Sequence, residues 1–103
     1  MDILNIGCGN KPITGAVNHD LTRHHSHVDV TWNLNKLPWP WGDASFDLIV
    51  ANSVFEHLVP DLVVVLNECW RILRPGGKVQ LKLPFWNSEI SHRDPTHRWY
   101  YST

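Results

Sequence analysis

Residues 46–51 read FDLIVA, a nearly continuous apolar run that contains leucine, isoleucine and valine. Such a run predicts a strand that is buried on both faces, as in a parallel sheet. Downstream, apolar residues at positions 62, 65, 66, 69, 70 and 73 have helical spacing and predict a helix from Asp61 to Leu73. Pro60 suits the start of this helix, and residues 75–77, Pro-Gly-Gly, suit its end. A buried strand followed by an amphipathic helix indicates an α/β domain.

Four further segments predict strands around this unit: residues 2–6, 16–20, 28–32 and 78–83. The alternation in residues 78–83, KVQLKL, predicts an edge or partly exposed strand, and residues 53–58 allow a short extra helix. Strands that are separated by crossovers form a parallel sheet. Only about nine residues separate the first two strands, whereas a parallel crossover usually needs about a dozen. We therefore expect the usual first helix to be absent or cut to a turn.

Length, charge and cysteine content limit the class of protein. The chain has 103 residues and a formal net charge of −1, which suits one small domain spanning residues 1–103. This charge gives no general attraction to nucleic acid or anionic lipid, and the apolar runs are too short for a membrane helix. Cys8 and Cys69 are too few for a disulfide framework, and the N-terminus lacks a signal-peptide pattern. We expect a cytoplasmic protein with reduced thiols and no nucleic-acid or membrane partner.

Two glycines follow the first predicted strand in the run NIGCGN, residues 5–10. Gly7 and Gly9 have no Cβ, so the backbone there can approach a ligand closely. Asp20 closes the next predicted strand, where a carboxylate can accept hydrogen bonds from ribose hydroxyls. The turn and the acid together indicate a ribose-containing ligand. A nicotinamide dinucleotide is disfavoured, because Pro12 replaces the last glycine of G-x-G-x-x-G and the acid comes too early.

Two longer motifs lie further along the chain. One is LPWPWGDASFDLIV at residues 37–50, continued by NSVFEHL at residues 52–58; the other is Glu68 with RILRPGGKV at residues 71–79. With LNIGCG at residues 4–9, they resemble the class I S-adenosylmethionine-dependent methyltransferases of the small-molecule type, over nearly the whole chain. The resemblance implies a Rossmann-like α/β fold with a mostly parallel sheet, flanking helices and S-adenosyl-L-methionine as cofactor.

The resemblance also implies which residues bind the cofactor. Gly7 and Gly9 would pass under its methionine part, with the backbone of Ile6 and Cys8 alongside. Asp20 would hold the ribose hydroxyls.

Five more residues complete this implied site. Leu21 would pack on the adenine, with Asn33 and Leu34 beside the adenine amine. Asn33 stands where the family often has an acid, and its side-chain carbonyl can still accept from that amine. Asn52 and Ser53, at the end of the fourth strand, would line the methyl-donor end.

Several histidines and a C-terminal cluster have two interpretations each. His57 is a candidate general base, or it caps its short helix. His97, Arg98 and Trp99 are candidate substrate contacts, with Arg98 pairing a carboxylate or phosphate, or they belong to a partly ordered terminus. The histidines in residues 24–27, HHSH, are more often a solvated turn than a metal site, so we expect no metal.

Two functions remain open at this point. The first is methyl transfer to a small-molecule or glycan-like acceptor. The second is a non-catalytic cofactor-binding or assembly module of the same fold. Family members usually continue with two further strands, whereas this chain stops at Thr103, and Asn10 stands where many members have a third glycine. The fold is therefore expected to be reduced or truncated at its C-terminus, and an open sheet edge predicts a homo-oligomer.

Overall fold

A computed structural model describes residues 1–52, 54–83 and 86–91. The elements, in chain order, are β1 (Ile3–Ile6), β2 (Val17–Asp20), β3 (Val30–Thr31), β4 (Phe46–Asn52), a 3₁₀ helix (Phe55–His57), α1 (Leu62–Ile72), β5 (Leu73–Leu83) and β6 (Trp86–Ser91). The strands form one sheet in the order β3-β2-β1-β4-β5-β6. Neighbours from β3 to β5 are parallel, and β6 is antiparallel to β5. The predicted α/β fold with a mostly parallel sheet is confirmed.

The core lies between the sheet and α1. β4 runs between β1 and β5, and its Ile49 is fully buried. α1 contributes Val65, Cys69 and Ile72 to the same core, at the spacing of one helical stripe. Full burial of a side chain as large as Ile72 is worth about 1.5 to 3 kcal/mol. This stripe holds the helix on the sheet.

α1 is one residue shorter than predicted at each end. Asp61 caps the helix with non-helical backbone angles, its carbonyl accepting from the Val65 N–H at 3.0 Å, and Leu73 is already extended. The predicted flanking helices are reduced, among the described residues, to this one α-helix and the 3₁₀ turn at Phe55–His57. No helix in that part of the chain is long and apolar enough to cross a membrane.

β5 begins earlier than predicted, at Leu73 instead of Lys78. Leu73 pairs with Phe46 of β4, and the register then shifts before regular pairing resumes at Lys78. Gly77 lies in this irregular stretch, where an added Cβ would stand 3.0 Å from the carbonyl oxygen of Asp47. The helix therefore ends at Ile72, before the Pro-Gly-Gly segment that was predicted to end it, and this segment lies inside a bulged strand.

Residues 78–83 were predicted to be an edge or partly exposed strand; the edge alternative is wrong, because β6 pairs along their outer side, and the partly exposed alternative is confirmed. The alternation has a different cause. Val79 and Leu81 point into the core, whereas Lys78 lies on the exposed face, with its Nζ 3.2 Å from Glu89 Oε1 of β6. Alternation here marks one solvated sheet face and not an unpaired edge.

Four other strands have bounds that differ slightly from the prediction, and β1 begins at Ile3, one residue later than expected. β3 is reduced to Val30–Thr31, because the Val28 N–H donates to the His25 carbonyl in a turn and not to a strand. β2 begins at Val17, one residue later than expected, and β4 extends one residue further, to Asn52.

The connection between β1 and β2 has no helix, as predicted, and side-chain amides satisfy its backbone instead. Asn5 Nδ2 donates to Asn18 Oδ1 at 3.0 Å and to the Lys11 carbonyl at 3.1 Å. The Ile13 N–H donates to the same Asn18 oxygen at 2.9 Å. Asn5 and Asn18 are both buried, so these bonds supply the partners that buried polar groups need.

Candidate cofactor-binding site

Two adjoining clefts open at the carboxyl ends of the strands. Cleft A has a volume of about 400 Å³, and cleft B of about 330 Å³. They share Gly7 and Asn52, which follow β1 and end β4. The strand order reverses between β1 and β4, and open α/β sheets bind ligands at this crevice. The topology thus places both clefts where a ligand is expected.

The structure brings the described candidate cofactor residues together around these clefts. Cleft A is lined by Gly7, Asp20, Leu21, Asn33, Leu34 and Asn52, and cleft B by Ile6, Gly7, Cys8, Gly9 and Asn52. Ser53, His97, Arg98 and Trp99 lie outside the described residues.

Asp20 joins β2 to the glycine turn. Its Oδ2 accepts from the Gly9 N–H at 3.0 Å, and its Oδ1 accepts from the Leu21 N–H at 2.8 Å. Each carboxylate oxygen has a second lone pair, so Asp20 can still accept from hydroxyls in cleft A. The two backbone bonds fix the carboxylate in place before any ligand arrives.

The two glycines of the turn have different roles. Both adopt positive φ, +62° at Gly7 and +50° at Gly9. A Cβ on Gly7 would lie 2.5 Å from Val54 Cγ2, whereas a Cβ on Gly9 would meet nothing within 4 Å. Gly7 is therefore needed for packing against the chain after β4. Gly9 leaves open space beside cleft B.

His19 is a site residue that the sequence analysis missed. It lies on β2 with 2% of its surface exposed and lines cleft A. Its Nδ1 lies 3.2 Å from the Gly7 nitrogen, and its Nε2 lies 2.9 Å from the Trp32 carbonyl oxygen. The Gly7 N–H must donate to Nδ1, so the ring proton is on Nε2 and donates to Trp32.

The neutral form of His19 is favoured by its surroundings. Burial lowers the pKa of His19, and the hydrogen bond to Trp32 and the charge of Asp20 oppose this only in part. The polar run Val17–Asp20, unusual for a strand buried between two others, was the one sequence signal for this residue.

The residues after β3 form the outer wall of cleft A. Leu34 is buried, while Leu21, which also lines cleft A, is 60% exposed. Asn33 Oδ1 accepts from the Asn35 N–H at 3.0 Å, and Asn35 Oδ1 accepts from the Val59 N–H at 2.7 Å. These bonds tie the wall to the segment that follows the 3₁₀ helix. Hydrogen bonds within the chain therefore fix the position of this wall without a ligand.

His57 lies at the rim of cleft A with an exposed side chain. Of the histidines in residues 24–27, His27 lies beside the glycine turn, with its Nε2 2.5 Å from the Gly9 carbonyl oxygen, and its ring stacks on that of His25 with centroids 5.0 Å apart. Among the described residues, no three histidine, cysteine or acidic side chains are grouped so as to hold a metal ion.

Comparison with known proteins gives a consistent assignment. Residues 4–81 match the family described as "Methyltransferase domain". Over 100 residues the chain is 34% identical to a Mycolicibacterium smegmatis protein named "Probable S-adenosylmethionine-dependent methyltransferase", covering 81% of this chain and 38% of that protein. Over 54 residues it is 44% identical to the trans-aconitate 2-methyltransferase of Azoarcus sp., covering 52% of this chain and 21% of that enzyme.

A solved structure agrees with the fold. The YcgJ protein of Bacillus subtilis superposes with a TM-score of 0.59 at 20% identity, over 78% of this chain and 42% of that one. The chain belongs to the methyltransferase domain family, and its mycobacterial relative is named as an S-adenosylmethionine-dependent methyltransferase. It spans 38% of the length of its mycobacterial relative.

S-adenosylmethionine is the cofactor of this family, and the clefts of this chain fit it. Cleft A, at about 400 Å³, lies within the range of roughly 300 to 1,000 Å³ that small-molecule sites occupy. Asp20 offers a fixed acceptor for hydroxyls at one end of the site. The open space beside Gly9 leaves room for a ligand at the other end.

Proposed function

We propose that this chain binds S-adenosylmethionine across clefts A and B and transfers its methyl group to a small-molecule acceptor. The fixed carboxylate of Asp20 beside the glycine turn, at the point where the strand order reverses, is the observation that carries this proposal. The bound cofactor supplies a methyl group on a sulfonium, which is electrophilic without further activation. The chain has to supply binding and alignment.

The roles of the residues are those that the family resemblance implies, and the places of the described residues in the clefts support them. Asp20 binds the ribose, Leu21 and Leu34 enclose the adenine, and Asn33 accepts from the adenine amine. Ile6, Cys8 and Gly9 flank the methionine part in cleft B, which Gly7 and Asn52 share with cleft A.

Four residues are assigned to the acceptor side of the site. Ser53 is assigned to the methyl-donor end of the cofactor on the family resemblance alone. His57, at the rim of cleft A, accepts a proton where the acceptor must lose one. His97, Arg98 and Trp99 are assigned to the acceptor on the family resemblance alone.

A small-molecule acceptor is favoured over a glycan-like one by the relative in Azoarcus, whose name specifies trans-aconitate, a small molecule. The compartment and assembly state belong to the same proposal. Buried, unpaired Cys8 and Cys69 suit the reducing cytoplasm. β6 is the last strand on the C-terminal side of the described sheet, and its outer edge is the surface assigned to homo-oligomer formation.

Calorimetric titration with S-adenosylmethionine and S-adenosylhomocysteine tests the proposal. We expect binding by the wild-type chain, and an affinity at least about tenfold lower in Asp20→Ala, since hydrogen bonds to a charged group are lost. Asp61→Asn is the matched control, because Asp61 is exposed and its side chain makes no capping bond. Circular dichroism establishes that each variant is folded.

The outcomes separate the two functions considered. Binding followed by methyl transfer in an acceptor screen supports the enzyme. Binding without transfer to any acceptor supports a non-catalytic cofactor-binding module. Equal affinities in wild type and Asp20→Ala, or no binding by the wild type, overturn the proposal.

A further inference from the structure

Two lysines that line cleft B have no acidic partner among the described residues. Arg71 pairs with Asp43 and Glu68, Arg74 with Asp2 and Asp47, and Lys78 with Glu89, in every case at 3.2 Å or less. Lys11 and Lys82 form no such pair with any described carboxylate, and both line cleft B. The described lining of cleft B also contains no aspartate or glutamate. Its charged groups are therefore all positive.

Lys82 lies next to Asn52, one of the residues that the two clefts share. It is the register partner of Asn52, so the two residues stand side by side at the ends of β5 and β4. Partners on neighbouring strands point to the same face of the sheet. Asn52 lines both clefts, and Lys82 lines only cleft B. Lys82 is thus one strand beyond cleft A, on the far side of the point where the strand order reverses.

The cofactor brings no net negative charge that would neutralise the positive charges of Lys11 and Lys82. Its amino-acid end carries one ammonium and one carboxylate, which cancel, and its sulfonium adds a positive charge. Asp20, with its Oδ2 3.0 Å from the Gly9 nitrogen, is the carboxylate beside cleft B, and the two lysines and the sulfonium together outnumber it. Such an excess attracts an anionic ligand, and the attraction is stronger in a partly enclosed cleft than in open water.

We propose that cleft B binds the acceptor through Lys82 and Lys11, and that the acceptor is a small polyanion whose carboxylate or phosphate groups these lysines hold. This inference rests on the proposed function, because it places the acceptor next to the bound cofactor. It goes beyond that function by naming the chemical class of acceptor and the residues that select it.

The test uses tricarballylate, a tricarboxylate, and inorganic phosphate as probes, each titrated into the chain saturated with S-adenosylhomocysteine. We expect one of these probes to bind, and to bind about tenfold more weakly to Lys82→Gln, since a charge-assisted hydrogen bond is lost. Lys36→Gln is the matched control, an exposed lysine that lines neither cleft, and it should bind as the wild type does. Lys82→Arg should retain most of the affinity, and added salt should weaken binding.

The two probes distinguish an acceptor with carboxylate groups from one with phosphate groups. A preference for tricarballylate indicates a polycarboxylate acceptor, and a preference for phosphate indicates a phosphorylated one. Binding of S-adenosylhomocysteine should change less than about twofold in Lys82→Gln, because its own charges cancel.

Three results overturn the inference. If the wild type binds S-adenosylhomocysteine but neither probe, the acceptor is not anionic and the proposed function survives. If Lys82→Gln loses S-adenosylhomocysteine but keeps 5′-methylthioadenosine, which lacks the amino-acid end, Lys82 serves the cofactor carboxylate instead. If the wild type binds no S-adenosylhomocysteine, the proposed function fails and this inference fails with it.

Discussion

The backbone N–H of Gly7 donates a hydrogen bond to Nδ1 of the buried His19, with the two nitrogens 3.2 Å apart. Only a neutral ring can accept that bond, because both ring nitrogens of a protonated histidine are donors. The other ring nitrogen, Nε2, donates to the carbonyl oxygen of Trp32, a residue that follows β3 and lines cleft A. One neutral histidine therefore connects the glycine turn to the residues after β3, and its protonation must break the first of these bonds.

Stability is expected to fall as the pH falls below neutrality, and His19 is the cause. Burial lowers the pKa of His19 from its ordinary value of 6.5. The unfolded chain then binds a proton at a pH where the folded chain does not, so the free energy of unfolding decreases as pH drops through 6.5 toward the folded-state pKa. The slope in this interval is at most about 1.4 kcal/mol per pH unit for one group. Urea unfolding at a series of pH values measures it.

Two variants isolate the contribution of His19. His19→Gln keeps an amide that can donate and accept but cannot titrate, so most of the slope should disappear. His24→Gln removes an exposed histidine and should leave the slope unchanged. A slope that persists in His19→Gln contradicts this assignment.

The main elements were predictable because each depends on a local pattern. The apolar run of β4 and the helical spacing of α1 both mark faces that have to be buried, and both elements are where that pattern places them. β6 was not predicted, because its position depends on pairing with β5 and its own sequence, WNSEIS, has little apolar character. The alternation of residues 78–83 fits both an edge strand and a partly exposed inner strand, and only the pairing with β6 distinguishes the two.

Gly7→Ala should destabilise the fold more than Gly9→Ala does. Both substitutions place a Cβ at positive φ, which costs about 1 to 2 kcal/mol. Only the Gly7 variant adds a steric overlap, 2.5 Å from Val54 Cγ2. Thermal unfolding of both variants measures the difference.

A second substitution tests the cause of this difference. Val54→Ala removes the methyl groups that the new Cβ meets, so the double variant Gly7→Ala/Val54→Ala should lose less stability than the two single changes predict together. A coupling of about 0.5 kcal/mol or more is expected for residues in contact. Strict additivity, or equal effects of the two glycine variants, argues against the packing role of Gly7.

Neither cysteine should react readily with a thiol reagent in the folded protein. Burial is the main cause that raises the pKa of Cys8, with a further contribution from Asp20, and burial likewise raises the pKa of Cys69. The reactive thiolate is therefore scarce at both positions, and reaction should be at least about tenfold slower than in urea. S-adenosylhomocysteine should slow Cys8 further, since Cys8 lines cleft B. Rapid labelling of Cys8 or Cys69 in the native chain would contradict this prediction.

The candidate site was predictable in part for a similar reason. Glycines after β1 and an acid at the end of β2 form a pattern along the chain, and the clefts gather these residues. No comparable pattern along the chain marks His19 or Lys82 as site residues. His19 acts through Gly7, twelve positions away, and Lys82 meets Asn52 only through the register of β4 and β5. Contacts of this kind are set by sheet pairing, which a single sequence does not show.

Glu68 should anchor the proline-rich loop, and its loss should destabilise the chain in a pH-dependent way. Its Oε2 accepts from the Trp39 N–H at 2.6 Å, and its two oxygens accept from Arg71 Nε and Nη2, each at 2.8 Å. Burial alone would raise the pKa of Glu68, but the bonds from Arg71 and Trp39 outweigh it and lower the pKa. Glu68→Gln keeps the shape and removes the charge, so we expect a loss of about 1 to 3 kcal/mol at neutral pH.

The sign of the pH effect follows from the lowered pKa of Glu68. The stability it contributes is present above the unfolded-state value of 4.5 and is lost as pH falls through the folded-state pKa. The difference between wild type and Glu68→Gln in urea unfolding should therefore shrink below that pH. Glu89→Gln, which removes an exposed partner of Lys78, is the control and should have a smaller effect at every pH. A Glu68→Gln penalty that is constant with pH would show that packing, and not charge, holds the loop.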